Sequence, residues 1–138
     1  MKQWILPLLV LTLVLGAPLL WAKDWYVRAG SDGDGTKDKP AGDLWKPLDK
    51  ATRGDVIHVA TGTYTGKSGC GAFAVKVPNL SLVGGYTADF ASRDPFKNPT
   101  LLERAADYKG DSMGLPDAIV WGDERQPHSG MVLDGFVL

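Results

Sequence analysis

The stretch Arg53-Gly-Asp-Val-Ile-His-Val-Ala-Thr-Gly-Thr-Tyr64 decides the fold of this chain. A Gly-Asp turn leads into a run of β-branched residues, which favour strands, and the run stops at Gly62. Alternate side chains of a strand share a face, so Ile57 and Val59 lie on one face and His58 lies on the other. We expect Ile57 and Val59 to point into the core.

Two later stretches share the order apolar, any, apolar, any, glycine; the second phrase and the third phrase are Leu80-Ser-Leu-Val-Gly-Gly-Tyr86 and Met131-Val-Leu-Asp-Gly-Phe136. Gly62 and Gly84 are 22 residues apart, and Gly84 and Gly135 are 51 apart. These intervals are close to one and two steps of a period of about 25 residues, which is typical of a solenoid built from stacked rungs. The inward residues of the first strand should therefore meet the leucines of the second phrase.

Short apolar runs bounded by Gly, Pro, Asn or Asp predict the other strands. They cover residues 25–28, 73–77, 80–83, 100–102, 118–121 and 131–137. A short helix is predicted over residues 47–52, because Leu44, Leu48 and Ala51 follow helical spacing and Pro47 is tolerated in a first turn. The polar insert over residues 87–117 would project from one rung without disturbing the stack. The predicted class is mainly β.

Composition and charge restrict the class of protein and its partners. A chain of 138 residues with 17 glycines suits one small, turn-rich domain. Lys and Arg total 15 against 16 Asp and Glu, and the charges are scattered along the chain. Because nucleic-acid and anionic-membrane surfaces need clustered positive charge, we expect no nucleic-acid partner.

Residues 1–22 have the pattern of a secretory signal peptide. Lys2 precedes an almost uninterrupted apolar run that ends at Ala22, directly before the charged Lys23. The pattern predicts cleavage after Ala22 and a mature domain over residues 23–138. An uncleaved anchor stays open as an alternative, because the run is just long enough to span a bilayer. We expect an exported protein, located in the periplasm, on the outer surface or outside the cell, with no integral membrane partner.

The stretch Asp32-Gly-Asp-Gly-Thr-Lys-Asp38 carries closely spaced carboxylates that are candidate calcium ligands. Counted from Asp32, an EF-hand template finds acids at its first, third and last positions, but Lys37 stands where glycine is required. A polar turn is therefore the favoured interpretation. A Ca²⁺ site formed by Asp32, Asp34 and Asp38 stays open, and Ca²⁺ is the one cofactor for which the sequence gives candidate ligands.

Asp89, Arg93 and Asp94 form a second charged group. A basic residue beside carboxylates is what a polysaccharide lyase needs to neutralise a uronate and remove its C5 proton. A local ion pair and a turn defined by Pro95 explain the same residues, and we favour that interpretation.

The aromatic and histidine side chains have similar alternatives. Three tryptophans could stack on sugar rings, although tryptophans more often fill a core or close a cap; they are Trp25, Trp45 and Trp121. His58 and His128 are 70 residues apart and lack metal-ligand spacing. We expect an exposed strand histidine and a loop histidine.

Several of these segments together resemble the N-terminal region of secreted right-handed parallel β-helix proteins of the pectate-lyase-like kind. The resembling segments are Trp25-Tyr-Val, Gly30-Ser-Asp-Gly-Asp-Gly-Thr36, Pro47-Leu-Asp-Lys-Ala51, Gly54-Asp-Val-Ile-His-Val59, Gly62-Thr-Tyr64, Leu82-Val-Gly-Gly-Tyr86, Arg93-Asp-Pro95 and Asn98-Pro-Thr-Leu-Leu102. The resemblance covers most of residues 23–138 and implies an N-terminal cap of one short strand and one short helix, followed by the first rungs. Lys46-Pro47 departs from the family, which tends to have Thr or Ile before the helix.

The resemblance implies a protein that binds or processes a polysaccharide; a non-catalytic structural or adhesion protein of the periplasm or cell surface is the alternative. If the protein is an enzyme, the family implies a polysaccharide lyase or glycoside hydrolase whose catalytic residues lie beyond residue 138. Family members continue for several more rungs, so the chain looks truncated. An open last rung would expose a strand edge, and we therefore expect self-association through it.

Overall fold

The structure is a computed structural model that describes residues 21–66, 73–107, 120–122 and 130–138. Within these ranges the chain forms nine short strands and one short helix. In chain order they are β1 (Asp24–Val27), α1 (Trp45–Lys50), β2 (Val56–Ala60), β3 (Gly62–Thr65), β4 (Phe73–Val75), β5 (Ser81–Tyr86), β6 (Thr100–Glu103), β7 (Val120–Gly122), β8 (Val132–Asp134) and β9 (Phe136–Val137). The predicted mainly β class is confirmed.

Every predicted apolar run contains a strand, although the boundaries differ by one to three residues. The run over residues 131–137 is divided into β8 and β9 at Gly135, whose φ is +78°. Helix α1 begins at Trp45, two residues earlier than predicted, and Pro47 lies in its first turn as expected. No helix of the described ranges has the length and apolar character that crossing a bilayer requires.

The strands form three sheets, and all strand pairings in the described ranges are parallel. The first sheet has the order β1-β2-β5-β8, the second β3-β6-β9 and the third β4-β7. Successive passes of the chain therefore visit the sheets in the same order, with β2, β3 and β4 followed by β5, β6 and β7. In the first sheet Val56 lies opposite Ser81 and Ser81 lies opposite Val132, which are steps of 25 and 51 residues. This spacing agrees with the period read from the glycines.

The core lies between the sheets and contains the residues that the alternation of β2 predicts. Ile57 and Val59 are completely buried, and Ile57 lies opposite Leu82 of β5. Val59 has no partner of its own in β5, because the register shifts between His58 and Ala60. The expected contact between the two strands is therefore confirmed for Ile57 and Leu82.

Tyr64 fastens β3 to the end of β1 through its buried hydroxyl group. The hydroxyl accepts a hydrogen bond from the Ala29 amide at 3.1 Å and donates one to the Ala60 carbonyl oxygen at 3.0 Å. Burial raises the pKa of Tyr64 to about 12, although the Ala29 amide and the Arg28 charge act in the opposite direction. The neutral phenol is therefore the form that the fold stabilises.

We expect Tyr64→Phe to lower the free energy of unfolding by about 1–2 kcal/mol, because two backbone groups lose a buried partner. Urea denaturation at pH 7 measures the change. Because the folded pKa is raised, the hydroxyl contributes fully below the unfolded value of 10.0, and its contribution is lost as the pH rises towards about 12. Tyr26→Phe is the control, since no described group bonds the Tyr26 hydroxyl; an equal loss in both variants would contradict the prediction.

Candidate functional site

The outer face of the first sheet carries a group of aromatic and polar side chains next to one another. Strand alternation buries Trp25 and Val27, so the other residues of β1 face outward. We call the group the outer-face cluster; its members are Asp24, Tyr26, His58, Tyr86 and Phe90. Strands β1, β2 and β5 are neighbours in the sheet, and each contributes to the cluster.

A chain of hydrogen bonds joins three members of the cluster. His58 Nε2 lies 2.9 Å from Asp24 Oδ1, and His58 Nδ1 lies 3.0 Å from the Tyr86 hydroxyl oxygen. An ionised carboxylate can only accept, so Nε2 carries the proton and donates it to Asp24. In the neutral imidazole, Nδ1 then accepts a hydrogen bond from the Tyr86 hydroxyl. The arrangement fixes one tautomer of His58 and directs the Tyr86 proton towards the ring.

Aromatic contacts hold these side chains in place. The Tyr26 ring stacks on His58, with centroids 4.9 Å apart and planes 20° apart, and Phe90 meets Tyr26 edge-on at 5.0 Å. Tyr86 meets His58 edge-on at 5.2 Å. Burial, together with the charge of Asp24 and the neighbouring Tyr86, raises the pKa of Tyr26. The raised pKa favours the neutral phenol of Tyr26 beside the imidazole of His58.

A bulge in β5 brings Tyr86 to the outer face. Leu82 points inward and Val83 outward, so strict alternation would direct Tyr86 inward. The register shift between β2 and β5 and the positive φ of Gly85, +87°, reverse the direction, and Tyr86 lies opposite Ala60. Without the bulge the His58–Tyr86 hydrogen bond would not form.

The charged group predicted after β5 is divided among separate contacts. Asp89 accepts hydrogen bonds from the Thr87 hydroxyl at 2.6 Å and the Ala91 amide at 3.1 Å, and these lower its pKa. Asp94 accepts hydrogen bonds from two backbone amides of the next turn. The turn interpretation is thus confirmed for both acids. Arg93, by contrast, pairs with Asp134 at 2.7 Å, 41 residues further along the chain.

The acidic loop after β1 is a network of turns beside an open polar cleft. Asp34 accepts hydrogen bonds from the Thr36 amide and hydroxyl, which lower its pKa. Asp32 and Asp38 line the cleft of about 420 Å³, whose other charged lining residues are Arg28 and Lys39. Among the residues that the structure describes, no three His, Cys, Asp or Glu side chains lie close enough to hold a metal ion. The calcium site stays a prediction.

Trp25 and Trp45, two of the tryptophans that could stack on sugars, belong to the core region rather than to an open surface. Trp25 is 4% exposed, and its Nε1 donates a hydrogen bond to Asp55 Oδ2 at 3.0 Å. Trp45 stacks on the buried Phe73 at 5.2 Å. The core interpretation is confirmed for Trp25 and Trp45. His128 lies outside the described residues, and for Trp121 the structure describes only the backbone, in β7.

Comparison with protein-family models, curated proteins and solved structures finds no match for the chain.

The outer-face cluster is a feature that the sequence does not predict, since the strand pattern indicates His58 only as an exposed strand histidine. A usable signal is present, because Tyr26 and His58 occupy outward positions of two consecutive predicted strands and Asp24 directly precedes the first of them. Pairing those strands in parallel register places Tyr26 opposite His58.

Proposed function

We propose that the chain forms the N-terminal cap and opening rungs of a right-handed parallel β-helix in an exported protein. Three parallel sheets visited in a constant order support this architecture, since each pass of the chain would be one rung. Strand β1 and helix α1 would form the cap. The signal-peptide pattern of residues 1–22 supports export to the periplasm, the outer surface or the medium.

We propose further that the outer-face cluster binds a polysaccharide. The observation that supports this is the grouping of Tyr26, His58 and Tyr86 on one face of a sheet. Aromatic rings pack against the apolar faces of sugar rings, and their polar ends form hydrogen bonds with sugar hydroxyls. A sheet face suits an extended ligand because its side chains are held at fixed spacing.

Calorimetric titration of the exported, purified protein with a neutral glucan and with polygalacturonate tests the proposal. We expect one of them to bind, and Tyr26→Ala to weaken that binding by about tenfold. Phe96→Ala is the matched control, because Phe96 is 98% exposed and is not a member of the cluster. Equal weakening by the two substitutions, or no binding of either polymer, would refute the proposal.

The Asp24–His58–Tyr86 chain also supports a second function, namely cleavage of the bound polysaccharide by acid–base chemistry. His58 could take the Tyr86 proton and leave the phenol oxygen as a base towards the sugar, while Asp24 holds the imidazolium that forms. Chromatography of the polysaccharide after long incubation would reveal shortened products. We expect Tyr86→Phe to abolish cleavage while binding persists; if the unaltered protein gives no shortened products, the protein is a non-catalytic binding or adhesion protein.

A further inference from the structure

Asp55 is a buried carboxylate whose hydrogen bonds, among the described residues, come from neutral donors. It is 1% exposed, and Oδ1 accepts from the Lys23 backbone nitrogen at 2.8 Å and from the Thr52 hydroxyl at 3.2 Å. Oδ2 accepts from Trp25 Nε1 and from the Thr52 amide. Each of these four donors is uncharged in the unprocessed chain. A buried carboxylate depends closely on its donors, so a change in the charge of one donor acts strongly on Asp55.

The donor at Lys23 belongs to a residue that is already bonded to strand β2. Trp21 is 81% exposed, whereas the Lys23 carbonyl oxygen already accepts a hydrogen bond from the Val56 amide at 3.0 Å. Strand β1 starts at the next residue. The signal-peptide pattern predicts cleavage of the bond between Ala22 and Lys23. The predicted cleavage point and the nitrogen that faces Asp55 are therefore the same position.

We propose that removal of the leader converts the Lys23 backbone nitrogen into an α-ammonium group that forms a buried ion pair with Asp55. The inference rests on the export part of the proposed function. A leader peptidase uses one water molecule: the hydroxyl adds to the Ala22 carbonyl carbon, the C–N bond breaks, and the nitrogen receives the proton. At neutral pH the new amine binds a second proton, which makes it a cation.

The ion pair makes processing a step that completes the fold. A charge-assisted hydrogen bond is stronger than one from a neutral amide, and the gain is largest where water is excluded. The new terminus would hold Asp24 at the start of β1, where Asp24 also accepts from His58. Maturation would thus fix both the buried carboxylate and one end of the outer-face cluster.

The stabilisation should depend on pH in the alkaline range. An ammonium that gains a negative partner has a raised pKa, so its contribution is complete below the unfolded value of about 8 and is lost as the pH rises through the folded value. Other charged groups lie close by: the Lys23 ammonium over the Trp25 ring, Asp24 beside His58, and Arg53 in the turn before Asp55. They are the same in a variant that lacks only the Asp55 charge.

The test uses the full chain with its leader, expressed in an exporting bacterium and purified from the periplasm or the medium. Intact mass should show a protein that begins at Lys23. Its melting temperature should fall by about 5 °C or more between pH 7 and pH 10, and Asp55→Asn should lack this fall. Glu103→Gln makes the same charge change at an exposed position and should behave as the unaltered protein.

Acetylation of the α-amine provides a second measurement in case Asp55→Asn does not fold. In the folded, unaltered protein the Lys23 α-amine should react about tenfold more slowly than in urea, as judged by mass spectrometry of the N-terminal peptide. An exported protein that begins at another residue, or an α-amine that reacts equally fast in both states, would overturn the ion pair alone. A chain that stays in the cytoplasm would overturn the proposed export.

Discussion

We expect Asp55→Ala to lower the free energy of unfolding by about 3 kcal/mol, because several buried donors lose their acceptor together. The carboxylate joins the turn before β2, the Trp25 indole and the start of β1, so no other described residue can replace it. Urea denaturation at pH 7 measures the loss. Asp49→Ala is the control, since the Asp49 side chain is 57% exposed and pairs with the exposed Lys76; that change should be below about 1 kcal/mol.

The contribution of Asp55 to the free energy of unfolding should also depend on pH in the acid range. Burial alone would raise the pKa of Asp55, but hydrogen bonds from Thr52, Lys23 and Trp25 outweigh burial and leave the pKa below its ordinary value. A lowered folded pKa means that the contribution is complete above the unfolded value of about 3.9 and is lost as the pH falls towards the folded value. On the acid side, the difference between the unaltered protein and Asp55→Ala should therefore begin to shrink below about pH 4. A difference that shrinks between pH 7 and pH 5 would contradict this assignment.

Gly85→Ala is expected to lower the free energy of unfolding by more than about 3 kcal/mol. Gly85 has a φ of +87°, and a Cβ there would lie 2.7 Å from the Cα of Pro95 and 2.9 Å from its nitrogen. Because both contacts are with backbone and ring atoms, a side-chain rotation cannot relieve them. The substitution should also move Tyr86 away from His58.

Gly54→Ala separates the two causes of that loss. Gly54 has nearly the same φ, +90°, but no atom lies within 4 Å of the position that a Cβ would take. The variant should therefore show only the backbone penalty of about 1–2 kcal/mol. Thermal or urea unfolding of the two variants gives the comparison, and the His58 ring resonances in each variant report on the bond to Tyr86. Equal losses in both variants would show that Pro95 moves away from the new Cβ and that the short contact between them costs little.

Local patterns in the sequence are sufficient to predict the strands and the inward face of β2. Ile57 and Val59 follow the two-residue period of a strand, and the recurring glycines give the spacing between strands of the same sheet. Packing does not override the alternation in β2, because Ile57 and Val59 are both completely buried.

The outer-face cluster and the partner of Arg93 cannot be predicted in the same way. By the alternation of side chains along β5, Tyr86 should point inward. Only the register shift at Gly85 turns it outward. Arg93 stands beside Asp94 in the sequence, yet it pairs with Asp134 because β8 lies next to β5. The sequence indicates Asp55 only as a turn residue; its donor Trp25 comes from β1, which lies about 30 residues earlier.

The hydrogen-bond chain from Asp24 through His58 to Tyr86 has a consequence for the fidelity of folding. A slip of β2 by one residue against its neighbours would turn His58 into the apolar interior and Ile57 towards water. Such a slip would break both imidazole hydrogen bonds and bury a polar ring without partners. Parallel strands with similar apolar patterns are open to such errors, and the chain of three side chains can be completed in only one alignment. The cluster would therefore favour the native register of the first sheet during folding, whatever ligand it binds.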